Sequence, residues 1–333
     1  MSKVYIIAEI GNTHEGSLGL AKCMIKAAAD CGVDCVKFQT HIFDAESLPN
    51  APNPPYFKDE TRKQYFDRTG FTKAQWAELK RYCEVDCGKD FISSPFSIEA
   101  VELLNEIGIP AFKIPSGEVT NLPLLERVAR TGKKVILSSG MNTWEEMEEA
   151  VLTLQENGCK DLVMLQCTSE YPCPPEKAGL NIMLEMKEKF NVPVGFSDHT
   201  LGSAVPIAAV ILGAVIVEKH FTLSTLAYGS DAKNSTEPAE FKGLVEDIRM
   251  AELAVNTKRE KSLDESLNNM KFVFEKSIVS GRAIEAGVVL TEADFAYKKP
   301  GDGIRAREYK SFIGKKLKNS VPKDYQFKRE DFA

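Results

Sequence analysis

The sequence predicts an α/β fold: a (β/α)8 TIM barrel followed by a small β-rich C-terminal module. Three observations predict it. Eight apolar, β-branched segments recur along the first two-thirds of the 333 residues, helix-period stretches separate most of them, and the alternation stops at a charged stretch without strand signals. Eight strand–helix repeats over about 250 residues is the arithmetic of a closed barrel. An open doubly wound sheet would need fewer strands and usually a glycine-rich first turn.

The strand candidates are, in order, VYIIAEI (4–10), CVKFQTH (35–41), FISSPF (91–96), AFKIPSG (111–117), VILSSG (135–140), LVMLQCT (162–168), PVGFSDH (193–199) and VIVEKHF (215–221). LGLAKCMIKAAADCG, IEAVELLNEIG and TWEEMEEAVLTLQENG read as helices between them, the last two ending in glycine as helix C-termini often do. About 50 residues separate the second and third strands, including the proline-rich LPNAPNPPYFKDETRKQYF. A connection longer than about 15 residues is commonly a functional loop or lid. Residues 1–255 therefore read as the barrel and 256–273, with NTKREKSLDESLNNMKF, as a linker. Residues 274–333 read as the module, where SIVS, VVL and KKLK are strand-like and AIEAG, KKPGDGI and NSVPKD punctuate them.

With 43% hydrophobic and 27% charged residues, the chain can build a sizeable core. No apolar run approaches the roughly 18 residues of a membrane span, and the N-terminus turns polar before a signal peptide develops, so a cytoplasmic location is expected, with no membrane partner. The net charge of −6 argues against a nucleic-acid binder. It is unevenly spread: residues 274–333 carry +4 and residues 1–273 carry −10. The eight cysteines (23, 31, 35, 83, 87, 159, 167 and 173) form no CxxC pair and read as buried thiols in a reducing compartment.

Barrel enzymes build their sites at the carboxyl ends of the strands. Here those ends carry Glu9, Lys37, Gln39, Ser94, Lys113, Ser116, Glu118, Ser138, Ser139, Thr168, Ser169, Ser197, His199 and His220. A purely structural barrel has no need of polar groups at nearly every exit. His199 and His220 end neighbouring strands, with Asp198 and Asp231 expected near them; they read either as ligands of a divalent metal or as two separately hydrogen-bonded rings. His14 and His41 follow strands and are expected in solvated loops flanking the site. Lys37 and Lys113 lie inside apolar strands, where an unpaired ammonium is costly. With Ser94, Ser116 and Ser197 they suit a phosphate or carboxylate cradle; snorkelling to solvent and a Schiff-base role are the alternatives.

The ordered blocks IIAEIGNTHEGSL, VKFQTH, FISSPFS, FKIPSGE, ILSSGMNT, QCTSEYPCP, GFSDHT and EKHFTL closely resemble the sialic acid synthases, meaning the bacterial N-acetylneuraminate synthases and their legionaminate and pseudaminate relatives. SIVSGRAIEAGVVLTEADFAYKKPGDGI resembles the antifreeze-like (SAF) domain that follows the barrel in that family. The resemblance implies condensation of phosphoenolpyruvate with an N-acyl hexosamine, N-acetylmannosamine first and a diacetamido-trideoxyhexose as the alternative, with water consumed and phosphate released. It implies Lys37, Ser94, Lys113, Ser116 and Ser197 on phosphoenolpyruvate. Gln39, Glu118, Tyr171 and Asp231 would contact the sugar, and Glu9 would complete the site. His199 and His220 would hold the metal, manganese before magnesium or cobalt.

Three positions depart from the family. Serine stands at Ser94 for threonine, at Ser169 for asparagine, and lysine at Lys299 for an arginine that the partner subunit supplies. The resemblance thus implies a homodimer with swapped C-terminal modules, in which Lys299, Arg305 or Arg307 would reach the N-acyl group of the partner's substrate. A glycan- or ice-binding reading of the module is poor, because such faces are flat and weakly charged while this one carries 22 charges in 60 residues.

Overall fold

The computed structural model describes residues 3–53, 59–262 and 264–333. Residues 54–58, in the middle of the proline-rich connection, lie outside the described residues. The chain divides into two compact units, Met1–Thr257 and Lys258–Ala333.

In the first unit, eight parallel strands close in sequence order: β1 (Tyr5–Gly11), β2 (Cys35–Thr40), β3 (Asp90–Pro95), β4 (Ala111–Ile114), β5 (Lys134–Ser138), β6 (Leu162–Cys167), β7 (Val194–Asp198) and β8 (Ile216–His220). The outer helices are α1 (Leu18–Asp30), α2 (Phe43–Glu46), α3 (Arg62–Thr69), α4 (Lys73–Arg81), α5 (Ile98–Glu106), α6 (Leu122–Ala129), α7 (Trp144–Glu156), α8 (Leu180–Phe190), α9 (Ala204–Ile211) and α10 (Pro238–Asn256). Local chemistry starts them: Ser17, Thr61, Thr72, Ser97, Asn121 and Thr143 each accept a backbone N–H of the first turn. The long second connection is partly helical: it holds α2, α3 and α4, and a π-turn at Tyr82–Asp86 follows.

Because side chains alternate across a strand, each strand serves two cores. Ile6, Ala8, Ile10, Val36 and Phe38 face outward and pack with the helices. Ile7, Cys35, Ile92, Ala111, Ile136, Val163 and Ile216 face inward as an apolar floor. Two residues further along, the same inward face turns polar: Glu9, Lys37, Ser94, Lys113, Ser138, Ser197 and Glu218 are all buried. A layer of charge on an apolar floor is the arrangement that positions a site at the C-terminal end of the barrel.

The second unit opens with a 3-10 turn at Glu265–Leu267 and α11 (Asn268–Phe274), so the stretch expected as a linker contains a helix. It continues into an antiparallel pair, β9 (Ser277–Ser280) with β10 (Phe295–Lys298). SIVS is β9, whereas VVL and KKLK make only isolated bridges, Val289 with Lys316 and Leu317 with Phe332. Ile278, Leu290, Phe295, Phe312, Leu317 and Phe327 are among the residues of its separate core. Among the described residues, no helix of either unit is long and apolar enough to cross a membrane.

Candidate active site

The polar layer is an ion network. Register places Glu9 beside Lys37 on one side and beside His220 on the other. Lys37 Nζ lies 2.7 Å from Glu9 Oε2 and donates to Ser94 Oγ at 3.2 Å. Lys113 Nζ donates to Ser138 Oγ at 2.7 Å. Both ammonium groups meet one oxygen, Glu218 Oε1, at 3.6 and 3.7 Å, and Ser197 Oγ donates to the same atom at 3.3 Å. The lysines do not snorkel: each is 3% exposed.

The two cations differ in electrostatics. Burial alone would depress Lys37, but Glu218 and Glu9 outweigh it and hold its pKa above the ordinary lysine value. Burial depresses Lys113, Glu218 offsets this only partly, and Lys37 adds to the depression. Burial works against the charged form of Glu218, yet Lys113 and Lys37 together keep its pKa low.

Across the mouth, the His199 and His220 ring centroids are 5.6 Å apart, and the Tyr171 ring lies 4.1 Å from His199. The Thr168 carbonyl oxygen is 2.8 Å from His199 Nδ1, so in the neutral ring the proton sits there and Nε2 is the nitrogen open to a metal. His220 Nδ1 is buried without a hydrogen-bond partner. These two rings fit a divalent metal as a pair; among the described residues no group of three or more His, Cys, Asp and Glu side chains could hold one. Any further coordination positions would then belong to substrate or water.

The remaining candidates divide. A Cβ on Gly11 would meet Asp231 Oδ2 at 2.6 Å and Gln39 Nε2 at 3.4 Å, so Asp231 and Gln39 converge at the end of β1. Gln39 Nε2 donates to Glu9 Oε1 at 2.8 Å. A Cβ on Gly140 would lie 2.5 Å from Ser169 Oγ and 2.7 Å from Ser116 Oγ, which places those two hydroxyls together. Glu118 is half-buried and accepts from Asn121 Nδ2 at 2.8 Å; burial, more than its neighbour Glu46, raises its pKa. Lys299 belongs to the second unit, exposed, with its ammonium 4.5 Å from the Phe274 ring. Arg305 lies in the same unit, 4.0 Å from Glu275, and Arg307 is exposed there.

Three expectations are corrected. Asp198 is not beside the histidines' open face: it points outward from β7, where its carboxylate takes the Lys219 ammonium and the Thr200 hydroxyl. His14 is fully buried, stacked 4.7 Å from Phe71, and burial drives its pKa down to about 3. His41 lies between the rings of Phe66 and Phe96, 3.9 Å from each, with 8% of its side chain exposed. Neither histidine is solvated, because the long second connection folds helices and aromatic rings over both.

Sequence reasoning missed Glu218, Glu46 and the outward pairing of Lys219. Period two from His220 carries Glu218 onto the inward face, a signal hidden by reading VIVEKHF as a single apolar run. Ser138 was visible as a strand exit, but its partnership with Lys113 was not.

Residues 24–260 match the NeuB family and residues 275–333 match the SAF domain. The chain belongs to the NeuB family. It is 41% identical to the N,N'-diacetyllegionaminic acid synthase of Campylobacter jejuni, covering 95% of this chain and 96% of that one. It is 36% identical to the human N-acetylneuraminate-9-phosphate synthase, covering 96% and 90%. Among solved structures, the N-acetylneuraminic acid (sialic acid) synthetase of Leptospira borgpetersenii superposes with a TM-score of 0.69 at 31% identity, covering 81% of this chain and 90% of that one. The family is that of the sialic, legionaminic and pseudaminic acid synthases, and the barrel followed by a SAF domain is its architecture here.

Proposed function

We propose that this protein condenses phosphoenolpyruvate with an N-acyl hexosamine, N-acetylmannosamine in the first instance, and water to give a nonulosonic acid and phosphate. The observation that carries the reading is the buried pair Lys37 and Lys113, two cations meeting at Glu218 across the barrel mouth from His199 and His220. Two ammonium groups edged by Ser94, Ser138 and Ser197 suit a small ligand carrying both phosphate and carboxylate. Glu9 and Glu218 hold that positive charge in a buried site until the anion arrives.

In the reaction, the methylene carbon of phosphoenolpyruvate bonds to the aldehyde carbon of the open-chain sugar. Water adds to the carbon bearing the phosphate ester, and phosphate leaves by C–O cleavage. A divalent metal held by His199 and His220, manganese before magnesium or cobalt, would supply Lewis-acid polarisation of the sugar carbonyl. Gln39, Tyr171 and Asp231 orient the sugar, with Ser116 and Ser169 on the opposite rim. Glu118, held above the ordinary carboxylate value by burial, serves the water or a sugar hydroxyl as proton acceptor and donor.

A homodimer in which each SAF module covers its partner's barrel mouth completes the proposal. In its support, large apolar side chains stand exposed on the loops at the strand exits: Leu48, Met141, Tyr171, Leu201, Leu226 and Tyr228. Such a rim is a docking surface for a cover that excludes water from the reacting carbons. Lys299, Arg305 or Arg307 would then meet the N-acyl group.

The legionaminic acid activity of the 41% identical relative favours a second reading, with a diacetamido-trideoxyhexose as acceptor. Both are tested by phosphate release from phosphoenolpyruvate over N-acetylmannosamine, its 6-phosphate and the diacetamido sugars, with manganese, magnesium and cobalt. In 18O-water the label should enter the sugar acid and not the phosphate. No phosphate release with any acceptor, or label in phosphate, refutes the reaction.

A further inference from the structure

Behind the sugar side of the mouth runs a chain of hydrogen bonds between two carboxylates. His41 Nδ1 lies 2.9 and 3.0 Å from the two oxygens of Glu46, and Nε2 lies 3.2 Å from Gln39 Oε1. Gln39 Nε2 in turn donates to Glu9 Oε1 at 2.8 Å. The Ile42 backbone N–H also donates to Glu46 Oε2, at 3.3 Å.

Donors and acceptors can be counted along this chain. Glu9, ion-paired with Lys37, is an acceptor, so Gln39 must turn its amide N–H toward it. The Gln39 carbonyl oxygen then faces His41 Nε2, which must carry a proton. The contact between Nδ1 and the Glu46 carboxyl also needs one proton, on either partner. The His41–Glu46 pair therefore holds one proton more than a neutral imidazole beside a carboxylate. The two aromatic faces that clamp His41, Phe66 from α3 and Phe96 at the exit of β3, are suited to a cationic ring.

When that proton leaves, a neutral ring keeps Nδ1–H on Glu46 and presents a bare Nε2. Gln39 can satisfy it only by turning its amide over, which sets its carbonyl oxygen against the Glu9 carboxylate, acceptor against acceptor. We propose that the His41–Glu46 pair is a protonation-dependent positioning device for Gln39, locking the amide in its sugar-binding orientation while the pair holds its extra proton and releasing it when the proton is lost. Among the described residues, the charged groups around the device include Glu46 on α2, Glu118 after β4, Glu9 and Lys37 at the ends of β1 and β2, and Asp231 after β8.

The inference rests on the sugar-binding role proposed for Gln39, and its test has an arm that needs no turnover. In full-length protein, ring-nitrogen resonances of His41 and side-chain amide resonances of Gln39 are followed across the histidine titration range. Gln39 should shift in step with loss of the His41–Glu46 proton. In Glu46→Gln the new amide can donate to Nδ1 of a neutral ring, leaving Nε2–H for Gln39, so the Gln39 signals should stop following pH. In the kinetic arm, the wild-type KM for sugar should rise as pH climbs through the same step and stay flat in Glu46→Gln. His41→Phe, which keeps the stacking but removes the donor, should raise that KM about ten-fold with little change in kcat. A Gln39 amide indifferent to ring titration, or one that still follows it in Glu46→Gln, overturns the proposal. Failure of phosphate release alone would sink the proposed reaction and leave the coupling of ring and amide standing.

Discussion

Lys113→Met tests the anion cradle directly. The lysine lies in β4 with its Nζ 2.7 Å from Ser138 Oγ and 3.7 Å from Glu218 Oε1. Methionine keeps an unbranched chain of similar reach and removes the charge. At that separation, a unit-charge pair is worth about 4 kcal/mol at an effective dielectric near 20. Desolvation consumes much of this, and a charge-assisted hydrogen bond contributes about 1.5–3 kcal/mol net, so phosphoenolpyruvate affinity should fall about 10- to 150-fold. The fold should survive, because Glu218 keeps Lys37 at 3.6 Å and is not stranded as a lone buried charge. Calorimetric titration of phosphoenolpyruvate, beside thermal unfolding, measures both. Affinity within about three-fold of wild type in a folded variant would refute the cradle.

The pH dependence of the same site has a definite sign. Since Lys113 is depressed and Lys37 is held up, rising pH discharges Lys113 first, and phosphoenolpyruvate affinity should fall with that step. Lys113→Met should abolish the step. Between the depressed value of Lys113 and the ordinary lysine value of about 10.4, the unfolded chain holds a proton that the native chain lacks, so the Lys113 contribution to stability rises with pH. Lys37 does the reverse: its contribution is complete below the ordinary value and is lost as pH climbs through its raised one.

His199→Ala and His220→Ala should each abolish metal-dependent turnover in a folded barrel; activity that survives exhaustive chelation in either variant would remove the metal assignment. Gly140→Ala should drive Ser169 and Ser116 apart, since its Cβ would sit 2.5 and 2.7 Å from their hydroxyls, and should raise a substrate KM at least about ten-fold. Unchanged KM values would show that those hydroxyls do not touch substrate. Mixing a Lys113→Ala chain with a chain ending at Thr257 should restore one working site per mixed dimer, because the intact module would cover the truncated chain's barrel. Mixed dimers that form and stay inactive would exclude capping in trans.

What was legible in the sequence has a common origin in local periodicity. The eight strands stand out because each is a short β-branched run followed by a helix-period stretch, and both signals are confined to a few turns of chain. The candidates at strand exits follow from the same period: Glu9, Lys37, Ser94, Lys113 and Ser197 each end an apolar run that must point its last inward side chain at the mouth. Even the second-unit strand SIVS was visible in this way.

Which polar groups meet was decided by the tertiary structure alone. Glu218 is distant in sequence from both lysines, and only closure of β8 onto β1 and the inward register of β2, β4 and β8 bring one oxygen between two ammonium groups. Asp198 and Ser197 are neighbours in the chain, yet the strand pleat sends one to Lys219 outside the barrel and the other to Glu218 inside. His41 reads as a loop residue until α2 and α3 bring Glu46 and Phe66 to it, beside Phe96. A sequence determines the periodicity of its own segments, whereas the pairing of charges between segments depends on how the barrel closes and which faces it dries.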